Sequence, residues 1–252
     1  MHEISTVAFV GSGKVASVLS FIFAQNGIEV TGISSRNQSS GLLLANKLGC
    51  NFYDLANELQ ADLIIVAVND DSVSSVVNKF DHDQRIAYTA GSVHLDTITH
   101  PNCSVFYPLQ TFTEGRVLNE TEIPIFLESR NPTSLLALEN LCRKVNLTFD
   151  YCNSVERKQY HISAVFLNNF VNHLLYISKD QIESKNLNWN HLLPLLHETF
   201  NKSINQDIFS IQTGPARRND QNVINEHKKM LSGTQLEIYE ALTKSIIETY
   251  NK

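Results

Sequence analysis

The sequence predicts an α/β protein, a doubly wound and mostly parallel sheet at the N-terminus followed by an all-α segment. Short, almost continuously apolar runs alternate with helix-period stretches over the first 150 residues, as expected of parallel strands covered by helices on both faces. The first of these runs passes through closely spaced glycines straight into a helix. Beyond about residue 150 the alternation stops and helical periodicity continues to the end. These observations place a boundary near Asn153 and divide the chain into 1–153 and 154–252.

The elements follow in order. Thr6 to Val10 is the first strand, apolar at four successive positions and so suited to burial on both sides. Lys14 to Asn26 is the first helix, with Gly27 placed to close it as a C-cap. Further strands fit Glu29 to Ile33, Leu63 to Val68, Arg85 to Thr89, Ser104 to Phe106 and Ile123 to Leu127. Helices fit Ser39 to Leu48, Asp71 to Asn78 and Pro132 to Val145. In the second segment helices cover 155–184, 189–206, 219–232 and 233–250, and Thr213-Gly214-Pro215 breaks the pattern between the second and third.

Composition narrows the function. Hydrophobic residues make up 42% and charged residues 18%, which gives enough apolar content for a packed core and argues against disorder. The formal charge of -6, without any polybasic run, argues against a nucleic-acid or anionic-membrane partner. Gln159 to Ser178 lacks Lys, Arg, Asp and Glu, but its His161, Ser163, Asn168, Asn169, Asn172 and His173 are too polar for a lipid-facing span. It is expected to be an interior helix. The N-terminal residues do not have signal-peptide form, so a cytoplasmic location is expected. Cys50, Cys103, Cys142 and Cys152 show no C-x-x-C spacing and read as reduced core residues. The nine histidines are scattered, so no metal site is expected, and no G-x-S-x-G elbow is present.

The most informative stretch is Val7 to Ala16, a strand running into Gly11-Ser12-Gly13-Lys14-Val15-Ala16 and then a helix. In a G-x-G-x-x-A turn the first glycine permits the tight bend, the second lets backbone approach a diphosphate, and the alanine lets helix pack on strand. The helix N-terminus then offers free N–H groups and the positive end of its dipole. An NAD site places an acidic residue about 20 residues further on, whereas this chain has Ser34-Ser35-Arg36-Asn37 after the second strand. With no carboxylate there and a planar guanidinium beside two hydroxyls, the expected cofactor is NADP. Val68-Asn69-Asp70 and Thr89-Ala90-Gly91, at the ends of the third and fourth predicted strands, are expected to line the path from adenosine to nicotinamide.

With these pieces in place the chain resembles a family of Rossmann-like NADP oxidoreductases that carry a helical C-terminal domain of unassigned function. That family is related to pyrroline-5-carboxylate reductase and 6-phosphogluconate dehydrogenase-like enzymes. The resemblance rests on Val10 to Ala16, Ala67 to Ser72, Thr89 to Val93, Tyr107-Pro108-Leu109-Gln110-Thr111-Phe112, Ala164 to His173 and Thr213 to Asp220. The Tyr-Pro-Leu-Gln-Thr-Phe and Thr-Gly-Pro-Ala-Arg segments are the more particular of these. Asn69 stands where relatives often have Pro, and Asn219 where Gly is usual. The resemblance implies a helical domain that dimerises, so a homodimer and a small-molecule substrate are expected.

Hydride transfer belongs to the cofactor, so the protein must place the substrate, exclude water and manage a proton. At about 100° per residue His161, Asn168 and Asn172 share one helical stripe, and His161 is a candidate acid near neutral pH. The Lys-and-Asn pair of related dehydrogenases is not matched, because Ile162 lies four positions after Lys158. In the 213–220 loop Arg217 is a candidate clamp for a substrate carboxylate or phosphate, beside Arg218 and Asp220. The 107–112 segment would close the nicotinamide pocket or pack the domain joint. The expected activity is hydride transfer between NADP and a small carbonyl, imine or hydroxy acid; the alternative is a non-catalytic NADP sensor.

Overall fold

The structure, a computed structural model, describes residues 3–113 and 122–250. Eight strands form one sheet in the order β3-β2-β1-β4-β5-β6-β7-β8. They are β1 (Thr6–Val10), β2 (Glu29–Ser34), β3 (Asn51–Tyr53), β4 (Leu63–Val66), β5 (Ile86–Tyr88), β6 (Cys103–Pro108), β7 (Ile125–Ser129) and β8 (Phe149–Tyr151). All pairings are parallel except β6 with β7. Strand order reverses between β1 and β4, and that switch point is where open α/β sheets bind ligands.

The helices of this part are α1 (Lys14–Gln25), α2 (Gln38–Leu48), α3 (Val73–Val77) and α4 (Pro132–Lys144). One buried cluster joins Phe9, Leu19, Phe23, Ile33 and Phe106 on one face of the sheet, and a second joins Val10, Ile64, Val66, Tyr88 and Val105 on the other. Strands buried on both sides explain the unbroken apolar runs at 6–10 and 63–66. Cys103, Cys142 and Cys152 are buried free thiols and Cys50 is half-buried. Burial pushes the Cys103 and Cys142 thiols up to about 12, so they sit in the core as small apolar groups.

The chain divides into two compact units, Met1–Asn169 and Phe170–Lys252. The segment 154–169, read from the sequence with the helical part, therefore packs with the sheet. Its helix α5 (Ser154–Ala164) opens with a capping box, in which Asn153 accepts from Glu156 N–H and the Glu156 carboxylate accepts from Asn153 N–H. Arg157, fully buried, ties α5 to the sheet by an ion pair with Glu128 of β7 and by bonds to the Tyr88 hydroxyl and Val93 carbonyl.

The second unit holds α6 (Val171–Glu183), α7 (Leu193–Asn205), α8 (Gln221–Lys229) and α9 (Gly233–Tyr250). The expectation that 159–178 forms an interior helix fails within the single chain. Leu167 is 75% and Tyr176 63% exposed. The helix is also interrupted by a π-helical turn at Val165–Phe170. Among the described residues no helix is long and apolar enough to cross a membrane, and no group of three His, Cys, Asp or Glu is placed to hold a metal ion.

Candidate functional site

The glycine turn is built as its spacing demands. Gly11 adopts a φ of 120°, and its N–H donates to the Ser34 carbonyl at 2.7 Å, joining the ends of β1 and β2. A Cβ at this position would lie 2.1 Å from the Ala67 carbonyl oxygen of the neighbouring β4 end. Backbone proximity across the switch point therefore excludes any side chain at Gly11. Ala16 is fully buried and lets α1 lie on the strands.

Gly13 is different. It is the N-cap of α1 with an ordinary φ of -76°, and a Cβ there would meet no atom within 4 Å. Internal packing does not require glycine at 13, and the space over it is open. Around it lies a cavity of about 770 Å³, lined among others by Gly11, Ser12, Ser35, Arg36, Val68 and Asn69. The first turn of α1 holds no acidic residue and no side-chain cap, so its leading N–H groups are available to an anion. A dinucleotide diphosphate fits this arrangement of open space, free donors and positive dipole. Exposed Lys14 and half-buried Val15 start the helix beside it.

At the end of β2, Ser34 is buried, and Ser35 shares a hydroxyl cluster in which Ser12 meets both Ser35 and Ser40 at 2.7 Å. Arg36 is exposed and enters no ion pair among the described residues. Asn37 caps α2 by accepting from Ser40 N–H at 3.1 Å. The expectation that no carboxylate lies near Arg36 holds for the loop but not for the fold. Asp54, just past the unforeseen strand β3, lines the same recess as Ser35, Arg36 and Ser39. There it accepts a bond from Gln38 at 2.9 Å. A partly exposed edge strand of three residues gives too short and too mixed a pattern to be read from sequence.

The row of strand ends continues through Val68 and Asn69 after β4 and Ala90 and Gly91 after β5, and Ser92 hydroxyl donates to the Asp70 carboxylate to link the two loops. Next to them, Tyr107 near the end of β6 meets His161 of α5, with Oη and Nδ1 3.1 Å apart. Gly91 lies beneath this pair, since a Cβ there would stand 2.6 Å from His161 Nδ1 and 2.8 Å from Tyr107 Cζ. His161 thus joins the edge formed by Asp70 and Gly91. Arg157, one helical turn earlier on the same face, fixes its helix.

Asn168 is exposed and lies in the π turn, where the wider i→i+5 winding departs from the α period that would align it with His161 and Asn172. In the second unit Arg217 donates to the Tyr250 carbonyl at 3.0 Å and lies 5.0 Å from that ring's centroid. Asp220 does not pair with the arginines; it caps α8 by accepting from Val223 N–H. Gly214, with φ 101°, makes the turn before Pro215.

A doubly wound sheet with an open crevice at its switch point and a guanidinium past the second strand is the arrangement of a nicotinamide-dinucleotide protein of the oxidoreductase type. Comparison with known proteins agrees. The family described as NADP oxidoreductase, coenzyme F420-dependent, matches residues 6–87, and a domain of unknown function, DUF2520, matches 123–246. Together they give the chain an NADP-oxidoreductase domain followed by a DUF2520 domain. It is similar to the crystal structure of BF3122 from Bacteroides fragilis, provisionally assigned as an NADP oxidoreductase, with 29% identity, a TM-score of 0.88, and coverage of 97% of this chain and 98% of that one. Protein TM1727 of Thermotoga maritima shares the fold at 20% identity and a TM-score of 0.69, over 98% of this chain and 100% of that one. The glutamyl-tRNA reductase of Sulfolobus acidocaldarius is 26% identical over 120 residues, which is 46% of this chain and 28% of that enzyme.

Proposed function

We propose that the protein transfers a hydride between NADP and a small carbonyl, imine or hydroxy-acid substrate. The observation that carries this reading is the open crevice over Gly13, ringed by Ser12, Ser35 and an Arg36 that enters no ion pair among the described residues. Bound NADP(H) would supply the hydride chemistry. Gly11, Gly13 and the leading N–H groups of α1 take the diphosphate. Ser12, Ser35 and Arg36 take the 2′-phosphate through charge-assisted bonds. Val68 to Asp70 and Ala90-Gly91 border the way to the nicotinamide.

His161 manages the proton. In reduction the substrate carbon gains the hydride, and its oxygen or nitrogen gains the proton held by the imidazolium. Oxidation runs the same transfers backwards. Asn168 is assigned to substrate as a hydrogen-bonding amide and Arg217 as an anion-pairing guanidinium, its remaining donors available beyond Tyr250.

A second copy of the chain covers the apolar helix faces. Leu195 and Ile204 are 65% and 80% exposed, and large apolar side chains left open in this way are ones an interface would bury. Four free thiols suit a reducing cytoplasm.

The test is a thermal shift. NADPH at a hundred times its Kd stabilises by about 2.7 kcal/mol, which raises Tm by roughly 5–10 °C for a chain of this size. NADH at the same concentration raises it much less. No shift with either nucleotide refutes the reading, and a monomer by light scattering refutes the second copy.

A further inference from the structure

His161 is the group on which the proposed proton transfer rests, and its surroundings specify more than its presence. Nδ1 meets the Tyr107 hydroxyl at 3.1 Å, while Nε2 makes no hydrogen bond among the described residues. The Tyr107 ring is held independently of that bond, 8% exposed and tilted against Phe126 at 6.4 Å between centroids. Gly91 lies close on another side, since a Cβ there would stand 2.6 Å from Nδ1.

We infer that Tyr107 is a positioning residue that confines the proton exchanged by His161 to Nε2. This deepens the reading above and rests on it for the use of that proton. A phenol can both donate and accept. With neutral His161, Oη–H donates to Nδ1 and the ring carries its hydrogen on Nε2. With the imidazolium, Nδ1–H donates to Oη, and only the Nε2 proton is free to leave for a substrate oxygen or nitrogen. Loss of that proton gives a neutral ring still tethered through Nδ1, and a proton from solvent returns to Nε2. Neither state requires Tyr107 to ionise. Burial first, and then the nearby Asp70 carboxylate, push its hydroxyl above the usual phenol value, against an opposing pull from Arg157.

The test reads the imidazole directly, by long-range ¹H–¹⁵N spectra of the full-length protein labelled at histidine, with His161→Gln assigning the signal. At a pH where His161 is neutral, the wild type is expected to show a single tautomer protonated on Nε2. Tyr107→Phe removes only Oη and keeps the ring; it is expected to populate the Nδ1–H tautomer measurably while near-ultraviolet circular dichroism stays native. Gly91→Ala, which presses on Nδ1, is expected to disturb the same signal. A wild type carrying its hydrogen on Nδ1, or a Tyr107→Phe spectrum identical to wild type, overturns the assignment. A wild type with the Nε2–H tautomer that fails to bind NADPH upholds the assignment and counts against the cofactor reading alone.

Discussion

The two glycines of the turn should fail in opposite ways. At Gly11 an alanine Cβ would sit 2.1 Å from the Ala67 carbonyl oxygen at a φ of 120°. Backbone strain of this kind costs about 1–3 kcal/mol by itself, and the carbonyl belongs to the residue that directly follows β4, where it cannot retreat without disturbing that strand. A total near 3 kcal/mol or above lowers Tm by roughly 6–12 °C in a chain of this length. At Gly13 the backbone is ordinary and the space free, so Gly13→Val should cost the fold about 1 kcal/mol or less, mainly as a poorer N-cap. Its side chain would occupy the diphosphate position, and NADPH affinity should fall at least about a hundredfold, or ~2.7 kcal/mol. Differential scanning fluorimetry and NADPH fluorescence titration on both variants separate the effects. Gly11→Ala as stable as wild type, or Gly13→Val binding NADPH normally, would refute the account of the turn.

Arg36→Ala should weaken NADPH roughly ten- to a hundredfold, the worth of one or two charged hydrogen bonds, and leave NADH within about twofold; parallel titrations decide it. Glu128→Gln leaves the fully buried Arg157 guanidinium without its counter-charge, which should cost about 3 kcal/mol in urea unfolding; an unchanged midpoint would contradict the proposed anchoring of α5. Asp62 provides the pH dependence. Its partial burial alone would raise the carboxyl, but bonds from Ser5 and Thr6 overcome that and hold it at about 2. A depressed carboxyl stabilises above its unfolded value near ~4, and that stabilisation disappears as pH falls through about 2. After allowance for solvent screening it is worth about 1 kcal/mol. Asp62→Asn should therefore lose stability at pH 7 and differ little from wild type near pH 2.

The sheet's left half was legible because β1, α1 and β2 each carry a strong local signal: an unbroken apolar run, a glycine turn and a regular helical period. β3 and β8, Asn51–Tyr53 and Phe149–Tyr151, escaped because they are short, partly exposed edge strands, whereas the equally short β5 is fully buried and apolar. With β3 went Asp54. The antiparallel turn of β7 is also unmarked locally, since a buried strand reads alike in either direction. For the site, the crevice residues lie in contiguous motifs, whereas the Tyr107–His161 pair joins positions 54 residues apart and exists only through tertiary packing. The π turn is hidden for a different reason. Its composition is that of the helices around it, so the stripe through His161 and Asn168 looked continuous.

The anchoring of α5 bears on where the molecule can be cut. A fragment ending at Asn153, where periodicity changes, would strip Glu128, the Tyr88 hydroxyl and the Val93 carbonyl of the guanidinium that satisfies them. It would also lose the Ser154 hydroxyl that accepts from Leu95 N–H. Such a truncation should aggregate, whereas one that retains the chain through Asn169 keeps those partners and His161 with them. The nucleotide half of this protein thus borrows its last piece from what the sequence presents as the other half.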